Sequence, residues 1–184
     1  MNPQVALQEL LAGNARYVSG HSIASNPPSN RDALVETHSP FAAIVRCADS
    51  RVAPEIVFDQ PLGKLFVCGV AGNIPTPEIV DSLEFAIQYL GLSLIVIMGH
   101  SHCSAVRFAM ENEFPEGIFS QITLSPTPNL DETIANNSEQ GIATILNRSY
   151  FIEDVVKKGA VQIVAGVQDI ASGEFDLVAQ TQLN

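Results

Sequence analysis

Basic residues are scarce in this chain. Its 184 residues hold 9 Lys and Arg against 20 Asp and Glu, a formal net charge of -11. A surface of that sign repels phosphate backbones, so nucleic acid is not expected as a partner. Cysteine is scarce too. Three cysteines cannot pair completely, and no Cys-x-x-Cys is present, which argues against a disulfide scaffold and against a redox dithiol. Long apolar runs are missing. The longest, 92–98 with Ser93 inside it, is too short to cross a bilayer, so no membrane contact is expected. The start, MNPQVALQELLAGNARYVSG, has neither a basic opening nor a long apolar core. No secretory leader is therefore expected, and a cytoplasmic location is.

What is present is a globular composition, 46% hydrophobic and 16% charged. The length suits one sizeable core, so 1–184 reads as a single domain. Apolar spacing predicts a helix over 3–18, weakened at Gly13 and readable as two short pieces. Residues 20–32, rich in Ser, Asn and Pro, read as an extended arm. Together 1–35 form a helix and arm expected to pack on a partner subunit or, from composition alone, on the chain's own core. Buried strands are expected at Phe41–Val45, Leu65–Val70, Leu94–Met98 and Val161–Val167, with an edge strand at Glu174–Val178. Helices are expected over 54–60, 77–90, 101–113 and most of 131–158, with Ile142, Ile145 and Leu146 turned inward. The stretch 114–130 should be irregular, with room for a short helical piece. Strands alternating with helices make this an α/β chain: a central, mainly parallel sheet flanked by helices, with an N-terminal helical arm.

Two short segments carry chemistry. Cys47-Ala48-Asp49-Ser50-Arg51 is placed just past the first buried strand. In an extended chain residues 47, 49 and 51 project the same way, so a thiol, a carboxylate and a guanidinium converge. The arginine would hold the carboxylate ionised. Gly99-His100-Ser101-His102-Cys103 is placed past the third strand at a helix start, with His100 and Cys103 one turn apart on one face. The helix N-terminus would lower the Cys103 thiol's pKa. Both segments end strands on the edge where open α/β sheets place their sites. Cys47, His100 and Cys103 then form a Cys2His set suited to catalytic zinc with a fourth position open. Either water or Asp49 can take that position. Arg51 holding Asp49 leaves it to water; Asp49 moving onto the metal closes the site, and protonation can bias the choice. Cys68 reads as a small core residue. His102, between two ligands, is expected to face solvent or a loop; His21, His38 and the acidic residues 111, 113 and 116 read as surface.

Cys47-x-Asp49-x-Arg51 followed by His100-x-x-Cys103 resembles the signature of the β-class carbonic anhydrases. DSRVAPEIVFDQPLGKLFV (49–67), VAGN (70–73), SLEFAIQYLG (82–91), MGHSHCSAV (98–106) and ALQELLAGNARYVSG (6–20) are similar to family segments in family order. GAVQIVAGVQDIASGEF (159–175) is similar to the family's final strand region. The resemblance implies Zn2+ on Cys47, His100 and Cys103, an Asp49–Arg51 catalytic dyad, and hydration of carbon dioxide to bicarbonate by zinc-activated water. It also implies an obligate dimer, often doubled to a tetramer, with the site at the dimer interface. Two positions depart from the family pattern: Gly69 stands where arginine is usual, and Ser104 where glycine is usual. Bicarbonate regulation is accordingly not carried over. A carbonyl sulfide or carbon disulfide hydrolase using the same zinc, and a non-catalytic zinc-binding homologue, stand as alternatives.

Overall fold

The structure, a computed structural model, describes residues 1–25 and 31–182. The middle of the expected arm, 26–30, lies outside the described residues. Helix α1 spans Pro3–Val18 as one piece, with the Asn2 side chain accepting from the Gln4 amide as its N-cap. Gly13 does not split it. A Cβ there would stand 1.9 Å from the Phe58 carbonyl oxygen, so glycine is what lets α1 lie flat on that backbone. A short helix α2, Arg31–Glu36, buries none of its residues.

Strand β1 spans Ala42–Cys47, α3 Pro54–Val57, β2 Leu65–Val70, α4 Pro77–Leu90 and β3 Leu94–His100. Helix α5 covers Ser104–Glu111, a single 3-10 turn Gly117–Gln121, α6 Leu130–Arg148 and α7 Tyr150–Lys157. Strands β4, Gln162–Gln168, and β5, Phe175–Gln180, complete a sheet of order β2-β1-β3-β4-β5. The first four are parallel and β5 runs antiparallel to β4. This is the expected α/β architecture.

Four expectations change. Strand β2 is not buried on both faces; it is the sheet's edge, and its residues are half-buried or exposed. Its continuous apolar run gave no sign of that. Gly99 does not end β3. The ladder continues through Gly99↔Val167 and His100↔Gln168, and glycine stands at 99 because a Cβ there would lie 2.3 Å from Ser138 Oγ of α6. The helix expected over 101–113 begins only at Ser104, with Cys103 as its N-cap residue. The long helix over 131–158 breaks at Ser149, which ends α6 and caps α7 by accepting from the Ile152 amide.

One face of the sheet buries Ala43, Val45, Ile95, Ile97 and Ile163 under α4, α6 and α7. The other buries Ile44, Leu94, Val96 and Met98 under α1 and α3. Asn14 of α1, itself buried, donates to the carbonyls of Val57 and Gly173 and accepts from the Phe175 amide. Residues near both ends of the chain are thereby tied together. Chain order reverses direction between β1 and β3, since β2 lies beyond one and β4 beyond the other. The crevice at the carboxyl ends of β1 and β3 is the switch point where such sheets place ligands.

Candidate metal centre

Cys47 is the last residue of β1 and His100 the last of β3, and the register that pairs Arg46 with Met98 brings both to that crevice. Cys103 joins them from the turn that follows β3. That turn is made by Ser101, whose amide donates to the Gln168 carbonyl, and by His102 with φ 57°. His100 and Cys103 therefore do not share a helical face, as the spacing had suggested; a strand end and a left-handed turn bring them together. The donor atoms of Cys47, His100 and Cys103 lie within 4.8 Å of one another, and all three residues are buried.

His100 is wholly buried, and its Nδ1 lies 2.9 Å from the Ser101 carbonyl oxygen. A carbonyl only accepts, so Nδ1 carries the proton and Nε2 presents its lone pair. That Nε2 has no hydrogen-bond partner among the described residues. A buried acceptor left without a donor is costly in a folded protein, and a cation would relieve it. Cys47 Sγ lies 3.9 Å from Cys103 Sγ and accepts from the Gly72 amide at 3.2 Å. The contact with Cys103 pulls the Cys47 thiol down to about 4 against its burial, helped by the Gly72 amide. The same contact, with burial and the Cys47 charge, pushes Cys103 up. Amides at the start of α5 lower it only in part, so the expected helix effect on Cys103 is outweighed. Of the two thiols, Cys47 ionises the more readily. Two sulfurs, a thiolate among them, and an oriented imidazole are the donor chemistry zinc takes.

The chain leaves β1 after Cys47 and turns at Ser50 and Arg51, so residues 47–51 are not fully extended. The turn itself forms the pair. Arg51 donates from Nε to Asp49 Oδ1 at 2.9 Å, from Nη2 to Oδ2 at 2.7 Å, and from its backbone amide to Oδ1 at 2.9 Å. These bonds hold the Asp49 carboxyl well below the usual carboxylate range, against some desolvation. Asp49 Oδ2 lies 3.9 Å from His100 Nε2, so the carboxylate borders the donor cluster. His102 is exposed and lines a cleft of about 240 Å³ with Asp131, Asp169 and Asp176. His21 and His38 are exposed. Cys68, on the edge strand, is pushed up to about 11 by burial.

Several supporting groups gave no local signal in the sequence. Gly72, which bonds the Cys47 sulfur, is itself held: its carbonyl accepts from Asn137 Nδ2 of α6 at 3.0 Å. Asn137 and Ser138 are buried polar residues on the inner side of α6, the one clue a helical pattern offers. Gly69 lies opposite Arg46 in the ladder, and a Cβ at 69 would stand 3.6 Å from the guanidinium carbon of Arg46. A side chain at position 69 would therefore meet Arg46. Ser104 is exposed and lines an apolar cleft with Ala71, Ala105, Phe108 and Phe119.

Comparison with known proteins shows what the chain as a whole is similar to. The family model described as "Carbonic anhydrase" matches residues 42–175. A carbonic anhydrase of Mycolicibacterium smegmatis is 33% identical over 96% of this chain and 93% of its own length. Carbonic anhydrase 2 of Mycobacterium tuberculosis is 31% identical over 94% of this chain and 91% of its own. In fold, the chain is similar to tetrameric β-carbonic anhydrases from Sordaria macrospora, with a TM-score of 0.70, 18% identity and 97% of each chain covered.

Proposed function

The chain belongs to the β-class carbonic anhydrase family, and from that premise we propose that it hydrates carbon dioxide reversibly to bicarbonate and a proton, using one zinc ion held by Cys47, His100 and Cys103. The observation that carries the metal assignment is the lone pair of His100 Nε2, buried without a partner beside two thiol sulfurs. Zinc in a three-ligand site of this kind leaves a fourth position for water and lowers that water's pKa from about 15.7 to about 7.

The chain's own residues do the rest. Asp49, kept ionised by Arg51, accepts a hydrogen bond at the mouth of the donor cluster and so orients the attacking oxygen's lone pair towards carbon dioxide. Arg51 occupies both carboxylate oxygens, which favours the arrangement with water rather than Asp49 in the fourth position. Ser101 fixes the imidazole plane through its carbonyl, and Gly72 holds the Cys47 sulfur by its amide.

The assembly belongs to the same reading: one domain over 1–184, working in the cytoplasm as a homodimer or dimer of dimers, in which α1 packs on its own sheet and the rest of 1–35 is left to meet the partner subunit. Three features support it. Helix α2 buries nothing, β2 leaves one edge of the sheet unpaired, and Phe85 stacks on Tyr89 at the surface with ring centroids 5.1 Å apart. The Sordaria relatives are tetrameric. No helix among the described residues is long and apolar enough to cross a membrane.

Stopped-flow hydration of carbon dioxide, run across pH with metal content measured on the same sample, tests the reading. Zinc near one per chain with rapid hydration is the expected result. Zinc-loaded protein that hydrates carbon dioxide no faster than buffer, or that prefers carbonyl sulfide, overturns the assignment.

A further inference from the structure

The peptide that bonds the Cys47 sulfur is itself held from far along the chain. Cys47 Sγ accepts from the Gly72 amide at 3.2 Å. Gly72 has φ 83° and is followed by Asn73 with φ 47°. Two successive left-handed residues make that turn, and a glycine in it has little conformational preference of its own. The N–H and C=O of one residue belong to two peptide planes hinged at its Cα. Fixing the Gly72 carbonyl therefore limits where the Gly72 amide can point.

Asn137 of α6 does that fixing. Its Nδ2 donates to the Gly72 carbonyl at 3.0 Å, and its Oδ1 accepts from the Thr123 amide at 3.1 Å. A backbone amide only donates and a carbonyl only accepts, so the two ends of the side chain cannot be exchanged. Ser138, the next residue on α6, has its Oγ 3.5 Å from Asn73 Nδ2, so the helix meets the turn at two successive residues. Asn137 is 6% exposed. Burial alone would be served at least as well by an apolar side chain there, since a paired buried amide gains little net free energy. What asparagine adds at 137 is direction.

Groups that hydrogen-bond a ligand atom orient it and tune what it gives the metal. An N–H donated to a thiolate draws electron density from the sulfur, and a sulfur already held in place need not be ordered when an ion binds. Three links run from α6 to the donor cluster: Asn137 to the Gly72 carbonyl, through Gly72 to its own amide, and from that amide to Cys47 Sγ. We propose, given the zinc site assigned above, that Asn137 is a positioning residue of the metal centre, aiming the Gly72 amide at Cys47 Sγ and so setting how tightly that sulfur binds the metal and how strongly it donates.

Cobalt(II) in place of zinc makes the sulfur visible through thiolate-to-cobalt charge-transfer absorption in the near ultraviolet. Asn137→Leu removes both hydrogen bonds at similar volume. Its zinc affinity, measured by competition with a chelator, should fall about 10- to 100-fold. Its charge-transfer band should move to longer wavelength as the thiolate loses its N–H donor. Asn137→Ala should shift both readouts the same way, and it decides the matter if Asn137→Leu does not fold. Thr133→Val is the control. Thr133 lies one turn earlier on α6, is 1% exposed, and donates from Oγ1 to the Asn129 carbonyl rather than to the turn at Gly72. It deletes a buried hydrogen bond from the same helix and should leave the band and the zinc affinity as in the unmodified protein. An unmoved band in the Asn137 variants, or an equal shift in Thr133→Val, overturns the proposal. Unmodified protein that takes up neither zinc nor cobalt would instead overturn the zinc site itself, and the role of Asn137 with it.

Discussion

Arg51 grips Asp49 by both carboxylate oxygens, and its backbone amide adds a third bond to the same group. Only one residue lies between them, so the pair is built by a turn and needs no distant element. Removing Arg51 frees the carboxylate without touching the three donor atoms. We expect Arg51→Ala and Asp49→Asn to bind zinc normally and to lose about 10²-fold or more in kcat, the usual size of a positioned acid–base contribution. Near-normal hydration by either variant would remove the dyad from the mechanism.

The donor cluster predicts a different outcome. Cys47→Ser and His100→Ala each delete one of three converging atoms. Purified protein should then contain much less than one zinc per chain, while retaining a native circular dichroism spectrum, since the core clusters on both faces of the sheet are untouched. Chelation of the unmodified protein should abolish hydration, and added zinc should restore it. Full zinc content in both variants would show that the metal sits elsewhere.

Asp59 offers a test by pH. It is buried; burial raises its pKa, but the Arg16 guanidinium and the amides of Ala24 and Ile23 outweigh that and leave it lowered. A carboxyl whose folded pKa lies below its unfolded value stabilises the fold above the unfolded value, about 3.9, and that stabilisation is lost as pH falls through the folded one. Asp59→Asn should therefore cost about 1–3 kcal/mol near neutrality and flatten the acid limb of stability below about pH 4. Denaturant melts at several pH values check both. Parallel curves for the two proteins would refute the linkage.

Gly13→Ala reverses a rule of thumb. In an open helix alanine is better than glycine by about 1 kcal/mol. Here its methyl would stand 1.9 Å from the Phe58 carbonyl oxygen, so α1 must lift off α3. We expect net destabilisation of about 1–3 kcal/mol, read as a lower melting temperature. A higher one would contradict the packing.

Much of this was readable beforehand, for a physical reason. Apolar runs and amphipathic spacing report burial, and they placed the five strands and the main helices. Ligand-type residues beyond β1 and β3 reported a shared sheet edge. What escaped was set by partners far away in sequence. Gly99 reads as a strand breaker until Ser138 of α6 is seen pressing on it. Leu65–Val70 reads as interior because an apolar edge strand and an apolar central strand have the same composition. The Gly72 amide and the Ser101 carbonyl are main-chain groups, and no side-chain pattern announces them.

The placing of the donors has a consequence for how the site fills. Cys47 and His100 end adjacent strands, so the ladder fixes their separation before any ion arrives. Cys103 hangs on a three-residue turn with a left-handed residue next to it. An ion bound here would then have two donors whose spacing the sheet sets and a third whose place the turn at 101–103 sets.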